Sequence, residues 1–358
     1  MRFLITGGAG FIGTKLVREL QKDPAHRCCV IDDLTEQVHG PDAAFPDFAS
    51  NVSCLRYDLR DAGSIKDAVA EFKPTHVVHL AAETGTGQSR DELQRYCSVN
   101  VDGTAILLEA LIAGAGELGQ VILASSRAVH GEGPWRRADG QVVVPGARRG
   151  EDLAAGRFDP AAYEDGKAVR LSEPLAAVES TPASPVSIYA STKLMQEHLL
   201  TQSALGEKAL VFRLQNVYGA GQSLRNPYTG VLSVFCSLLL KNQPLAVFED
   251  GGIIRDFVAA DDVVAGILSG IAAGTAGGTV INLGSGRPVS ILSAARLLCR
   301  IFGKDPERTI AVTGQFRLGD VRHATADIAK ARALLGWTPR TSLQEGLEEL
   351  ARWSRTQA

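Results

Sequence analysis

Tyr189 and Lys193 lie four residues apart in the stretch Ser187-Ile188-Tyr189-Ala190-Ser191-Thr192-Lys193. On a helix that spacing puts both on one face, a turn apart. A phenol ordinarily keeps its proton to near pH 10. A neighbouring ammonium, with a cationic nicotinamide beyond it, favours the phenolate and makes Tyr189 usable as a base near neutrality. The pair alone says little, because one packed ring and one solvated amine share the spacing. A second hydroxyl and a cofactor site give it force. Residues 121–124 read as a buried strand that ends in Ser125-Ser126-Arg127-Ala128-Val129-His130-Gly131. Serines just past such a strand, at the carboxyl edge of a parallel sheet, sit where ligands bind. Ser126 could hydrogen-bond the oxygen that Tyr189 deprotonates; a turn serine satisfying nearby backbone is the alternative.

The elements that would bring a cofactor to this pair come first in the chain. Residues 2–5 form a short apolar run that ends in Thr6-Gly7-Gly8-Ala9-Gly10-Phe11-Ile12-Gly13. An amphipathic stretch, 14–20, and a second apolar run, 28–31, lead to Asp32-Asp33. Strand, glycine turn, helix, strand and acid is the dinucleotide-binding βαβ arrangement. Gly7 permits the tight turn, Gly10 lets backbone approach a pyrophosphate, and Gly13 lets helix pack close to strand. The first N–H groups of the helix then face the phosphates. A carboxylate at the end of the second strand hydrogen-bonds a free ribose 2′-hydroxyl and repels a 2′-phosphate, so Asp32 or Asp33 selects NAD over NADP. Farther on, Asp58-Leu59-Arg60-Asp61 follows a short strand at 53–57, where an acid could reach the adenine edge. A loop or helix-capping role is the alternative, above all for Asp61. Residues 75–80 form an apolar strand ending at Leu80, and Ala81 and Ala82 are small enough to let backbone run against a dinucleotide. The polar loop 83–90, with Thr84 and Gln88, suits the lining of a cleft. Residues 96–111 read as a long helix that turns Asn100 inward, as a satisfied core amide or as the holder of an active-site water.

The chain has 358 residues, 45% of them hydrophobic, which fits one large α/β unit or two intimate lobes. A net charge of −3 argues against a protein that binds nucleic acid by general attraction to phosphate. Six cysteines without a C-x-x-C pair read as reduced thiols rather than a disulfide framework or metal site. With no charged-then-apolar leader and no apolar run of transmembrane length, the expected compartment is the cytoplasm, without a membrane partner.

The segment at about 132–186 is rich in Gly, Ala, Pro and charge and weak in periodicity. It reads as an excursion over the active-site mouth, with short helices at 150–156 and 171–177. A strand at 209–214 then leads into Gln215-Asn216-Val217-Tyr218-Gly219, and the strict strand–helix alternation loosens. Helices are expected at 231–241, at 263–272 behind a capping Asp261-Asp262, at 291–302 and at 343–352, with strands at 245–248 and 279–283. No repeat or linker interrupts the chain. The expected division is a cofactor-binding domain over 1–214 and a mainly substrate-binding lobe over 215–358, partly interwoven with the first. The fold class is α/β: a Rossmann-like doubly wound parallel sheet with a smaller, interwoven α/β lobe.

Taken together, several stretches resemble the extended short-chain dehydrogenase/reductase family, and within it the NAD-dependent nucleotide-sugar epimerases and dehydratases. They are the glycine turn at 7–13, His79-Leu80-Ala81-Ala82, Asn100, the segment 125–131, the segment 189–193, Asn216-Val217-Tyr218-Gly219, Arg255-Asp256-Phe257 and Gly319-Asp320-Val321-Arg322. The resemblance spans nearly the whole chain. It implies an NAD held by Gly7, Gly10, Phe11, Ile12, Gly13, Asp32, Asp33, Asp58, Leu59, Leu80, Ala81, Ala82, Asn100, Ser125, Tyr189 and Lys193. It implies a nucleoside-diphosphate sugar held by Thr84, Gln88, Ser126, Arg127, Asn216, Arg255 and Arg322, catalysis by Ser126, Tyr189 and Lys193, no metal, and a homodimer. A guanidinium's bidentate grip on phosphate suits Arg255 and Arg322; a structural salt bridge to Asp256 or Asp320 is the rival for either.

Two departures from the family pattern stand out. Dehydrating relatives carry an Asp-Glu pair directly after the active-site Ser/Thr, decarboxylating ones a glutamate in that segment, and 3,5-epimerising ones a cysteine. Here Arg127-Ala128 follow Ser126. What remains is equipment to oxidise C4 and put the hydride back, so the expected activity is nucleotide-sugar 4-epimerisation. The long insert and residues 82–89 look like bacterial 4-epimerases of dTDP-linked 6-deoxyhexoses, such as those interconverting dTDP-L-rhamnose and its C4 epimer; a UDP-hexose is the other candidate. A 4-ketoreductase or 4,6-dehydratase using the same tyrosine, or a non-catalytic NAD-binding scaffold, are the alternatives. The second departure is His130, which stands where the family usually has tyrosine, at a position that mostly packs.

Overall fold

The computed structural model describes residues 1–224, 226 and 230–357. At its centre lies a seven-stranded parallel sheet. Its first five strands are β1 (Arg2–Thr6), β2 (Arg27–Ile31), β3 (Val52–Leu55), β4 (His76–His79) and β5 (Gln120–Ser126), and strands Ala209–Leu214 and Thr279–Leu283 complete it. In space the order is 279–283, 209–214, β5, β4, β1, β2, β3. The chain starts in the middle, builds outward through β2 and β3, and crosses back to β4. The order therefore reverses between β1 and β4, and a crevice opens beyond the carboxyl ends of those strands.

β1 has no polar face because helices cover both sides of the sheet. Phe3 and Ile5 pack with Leu16 and Val17 of α1 (Phe11–Leu20) and with Val263 and Ile267 of helix Ala260–Ala272. Leu4 points the other way, into a cluster with Val69, Leu107 and Leu111 of helices Ala62–Phe72 and Gly103–Gly114. A third cluster around Tyr218, Phe235, Phe257, Leu298 and Leu347 forms the core of the second lobe. There Asn216–Tyr218 runs parallel to Ile254–Ala259, which also pairs with Pro288–Ser290 and His323–Ala324. The two parts are interleaved, because Thr279–Leu283 returns to the first sheet beside Ala209–Leu214.

The segment 132–186 folds as a four-stranded antiparallel sheet. A short helix forms at Gly150–Ala154 as expected, but 171–177 is no helix: strand Lys167–Pro174 pairs with both Ala161–Glu164 and Trp135–Arg137. The sequence carries the reason, since Asp165-Gly166, both at positive φ (47° and 76°), makes a two-residue hairpin turn whose twist matches the strands. Among the described residues lining the large cavity, none belongs to this segment. Arg148 clamps it to the second lobe: its guanidinium is paired with Glu132 at 2.9 Å and Glu249 at 2.8 Å, and donates to the carbonyl oxygens of Phe158 (2.8 Å) and Asp320 (3.0 Å).

Two smaller expectations also change. Asp262 caps no helix; its carboxylate accepts the backbone N–H groups of Arg340 (2.9 Å) and Thr341 (3.0 Å), which fixes the approach to the last helix, Leu343–Arg355. The helical run Leu93–Gly114 does reach membrane-spanning length and hydropathy. In the fold it packs against Ala62–Phe72 and Ile188–Gln202 and carries the buried Tyr96, Asn100 and Thr104. All six cysteines are free thiols.

Candidate active site

Helix Ile188–Gln202 begins at Ser187, whose Oγ accepts the N–H of Ala190 at 3.2 Å. That cap puts Tyr189 in the first turn and Lys193 one turn on. Ser126 is the last residue of β5. Its Oγ accepts the N–H of Ala128 at 3.2 Å and starts the short turn Arg127–His130, which packs against the helix carrying Tyr189. Ser126, Tyr189 and Lys193 line one cavity of about 460 Å3.

Burial pushes the Tyr189 pKa above its ordinary 10, and the Ser126 hydroxyl and the Arg127 charge pull against it. The Lys193 ammonium is turned elsewhere. It donates to the Ala124 carbonyl and to Gln196 Oε1, both at 2.8 Å, and burial pulls its pKa down to about 7 against the nearby Glu197 carboxylate. The Lys193 amine is thus held by Ala124 and Gln196, while Arg127 stands in the lining of the same cavity as Tyr189.

At the cofactor end, Gly7, Gly10, Phe11, Ile12, Gly13, Asp32, Asp33, Asp58, Leu59, Leu80, Ala81 and Ala82 all line the same cavity. Gly7 has φ +69°, and a Cβ there would lie 2.7 Å from the Ala81 nitrogen; one on Gly13 would lie 2.3 Å from the Gly7 carbonyl oxygen. A bare-backbone cradle at a helix N-terminus, with carboxylates at the end of β2, fits the pyrophosphate and ribose of NAD. Asp32 is the buried acid of the pair. Its Oδ2 accepts the Ala9 N–H and its Oδ1 the Leu34 N–H, both at 3.0 Å, so it also ties the glycine turn to β2. Asp33 is exposed and accepts the Thr35 N–H at 3.1 Å. Asp58 lines the cavity with its carboxylate held by Arg60 at 2.9 and 3.0 Å from Nε, and Asp61 caps helix Ala62–Phe72 by accepting the Ser64 N–H at 3.2 Å. Ser125 also borders the cavity, but its hydroxyl donates to Glu197 Oε1 at 2.5 Å, and Glu197 in turn holds Arg213 at 2.8 Å.

Asn100 lies behind the cavity wall. It sits in a π-helical turn, 98–102, accepts the Glu83 N–H at 2.7 Å, and donates to the Glu83 carbonyl at 3.1 Å and Thr192 Oγ1 at 3.0 Å. Its amide ties the 83–86 loop to the tyrosine helix. Among the residues expected to hold the sugar nucleotide, Thr84, Ser126, Arg127 and Asn216 line the cavity, and Asn216 Oδ1 is buried with no hydrogen-bond partner. Gln88 is buried in an amide pair with Gln37, at 2.9 and 3.0 Å. Arg255 and Arg322 also lie outside the described lining. Arg255 is paired with Asp320 at 2.5 Å, and Arg322 with Asp250 at 2.7 Å, Glu249 at 3.0 Å and Asp159 at 2.8 Å. Arg255 is buried and Arg322 half-buried, and both are neutralised by carboxylates, Arg322 joining the insert to the second lobe through Asp159.

Sequence reasoning missed Gln196, which anchors Lys193 and donates to Thr104 Oγ1 at 2.7 Å, next to a buried His79 that burial keeps neutral with a pKa of about 3. The signal was present, since Gln196 follows Lys193 by three on the same helix face. It also missed Gln37 and Gln215, which line the cavity; Gln215 Oε1 is another buried acceptor without a partner.

The profile of the NAD dependent epimerase/dehydratase family matches residues 3–146, and that of GDP-mannose 4,6 dehydratase matches residues 170–350. The chain is 40% identical to a dTDP-L-rhamnose 4-epimerase of Burkholderia thailandensis over 98% of its own length and 94% of that protein. Its structure superposes on the UDP-glucose 4-epimerase of Thermotoga maritima, solved with UDP-glucose, with a TM-score of 0.79 at 27% identity, covering 100% of this chain and 99% of the other. The UDP-glucuronic acid 4-epimerase of Bacillus cereus, solved with UDP-glucuronic acid and NAD, gives a TM-score of 0.79 at 25% identity with both chains fully covered, 100% each.

Proposed function

The chain belongs to the NAD dependent epimerase/dehydratase family and is an NAD-dependent nucleotide-sugar 4-epimerase, and we propose that its substrate is a dTDP-linked 6-deoxyhexose such as dTDP-L-rhamnose, inverted at C4 by transient oxidation. The observation that carries the chemistry is that Ser126, Tyr189 and Lys193 line the same cavity as the glycine cradle. Among the described lining residues the carboxylates are Asp32, Asp33 and Asp58 at the cofactor end and Glu83, which is tied to Arg95 at 2.8 Å. None follows Ser126, where water loss would need an acid and a base. The 40% identity over nearly the full chain favours the deoxyhexose over a UDP-hexose.

In this reading Tyr189, as phenolate, accepts the proton of the C4 hydroxyl, and Ser126 holds that oxygen through its own hydroxyl. NAD bound in the glycine cradle supplies the hydride acceptor for the oxidation and the hydride donor for the return. Lys193, anchored through Gln196, keeps one donor for a ribose hydroxyl. The 4-keto sugar turns over in the cavity, and Tyr189 gives its proton back to O4 on the other configuration, which leaves the site as it began.

An NMR time course in D2O, on purified protein with no added cofactor, tests this reading. With dTDP-L-rhamnose it should yield the C4 epimer with protium retained at C4. Deuterium at C6 of a 4-keto product would mean dehydration, and no change until NADH is supplied would mean a net reductase. Turnover of UDP-glucose in place of dTDP-L-rhamnose would move the substrate to the UDP-hexoses.

A further inference from the structure

We propose that Arg127 is a positioning residue for Tyr189: its guanidinium, set in the cavity wall beside the Ser126–Tyr189 pair, stabilises the phenolate that takes the sugar's hydroxyl proton. The use of that phenolate rests on the epimerase reading; the electrostatic coupling does not.

The placement of charge around the site points to it. Every neighbouring buried guanidinium is neutralised: Arg255 by Asp320, Arg148 by Glu132 and Glu249, and Arg213 by Glu197. Arg127 makes no hydrogen bond or ion pair with any described residue, and it is the only arginine among the described residues lining the cavity. Leaving a half-buried guanidinium unpaired is costly, so an unpaired one marks a place where a negative charge is due. It follows Ser126 directly and opens the turn that Ser126 caps; that turn packs against the helix carrying Tyr189, and both residues line the cavity. The other cation at hand, Lys193, directs its ammonium to Ala124 and Gln196.

The groups facing the pair leave Arg127 uncompensated. Against Tyr189 stand Ser126, Arg127 and Tyr96, whose ring lies edge-on at 6.4 Å; Lys193 lies one turn along its own helix. Against Arg127 stand Arg255, Asp320, Tyr189, Glu132 and His130. Asp320 is occupied by Arg255, and Glu132 by Arg148 and the Arg322 N–H at 2.7 Å. Burial leaves His130 neutral, with a pKa of about 4. Burial and Arg255 lower the Arg127 pKa only to about 10, so it stays charged at neutral pH and does not compete for the proton.

Titration of the phenol by its absorbance change near 295 nm tests the coupling without any substrate. The wild-type curve minus that of Tyr189→Phe isolates Tyr189, and the same subtraction in the Arg127→Met background isolates it without the guanidinium. The midpoint should rise by about one unit or more in Arg127→Met, as expected for losing a nearby cation. Arg127→Lys should stay close to wild type, and Arg127→Gln, which keeps polar reach without charge, should follow Met. An unmoved midpoint in both neutral variants overturns the proposal. With turnover, the acidic limb of kcat, where the phenolate is lost to protonation, should shift upward by the same amount; a raised KM with an unmoved limb would make Arg127 a substrate anchor and overturn it as well. Absence of turnover on every sugar nucleotide would remove the epimerase reading and leave the titration result standing.

Discussion

Replacing Lys193 by Met exposes the cost of the buried ammonium. Lys193 is 3% exposed, and burial lowers its pKa from 10.5 to about 7. The folded value lies below the unfolded one. Between pH 7 and 10.5 the unfolded chain therefore holds a proton that the folded chain has released, and stability rises with pH across that window. Below it the full cost of burying the charge is present. At 1.36 kcal/mol per unit the whole swing is about 5 kcal/mol, of which about 3 kcal/mol falls between pH 6 and pH 9. Methionine removes the charge at similar length but strands the Ala124 carbonyl and Gln196 Oε1, at a cost of about 1–3 kcal/mol each at any pH. The variant should thus be about as stable as wild type near pH 6, and about 3 kcal/mol worse relative to it near pH 9. Urea unfolding of both proteins, stripped of cofactor, at pH 6, 7.5 and 9 gives the difference directly. A gap between them that is equal at pH 6 and pH 9 would refute the buried-charge reasoning.

Tyr189→Phe should cut turnover by about 10²–10⁴-fold, the usual worth of a general base, while the protein still elutes with NAD by absorbance. Near-normal turnover would remove it as the base. Gly13→Ala puts a methyl carbon 2.3 Å from the Gly7 oxygen, which neither backbone segment can yield, so the variant should purify without NAD. Arg148→Met leaves the carboxylates of Glu132 and Glu249 buried without their shared cation and should cost about 3–5 kcal/mol. It should also open 132–186 to trypsin well before the rest of the chain; unchanged cleavage there would mean that this clamp does not hold the insert.

The sequence by itself determined the central sheet and the cofactor cradle. Their signals are local: apolar runs of strand length, Gly7, Gly10 and Gly13 at fixed spacing, and Asp32 at the end of the next strand all lie within one βαβ unit. Tyr189 and Lys193 were legible for the same reason, one helical turn being a short-range fact. The hairpin at Asp165-Gly166 was equally local and was passed over because the surrounding segment has little hydrophobic periodicity. Only the tertiary structure decided how the charges pair. Asp320 takes Arg255, Asp250 takes Arg322, Glu132 and Glu249 take Arg148, and Arg127 is left without a described partner in the cavity lining. Those partners come from elements as far apart as residues 148 and 249, and in a low-dielectric interior a charge is governed by whichever group the fold brings within a few ångströms, which spacing along the chain does not encode.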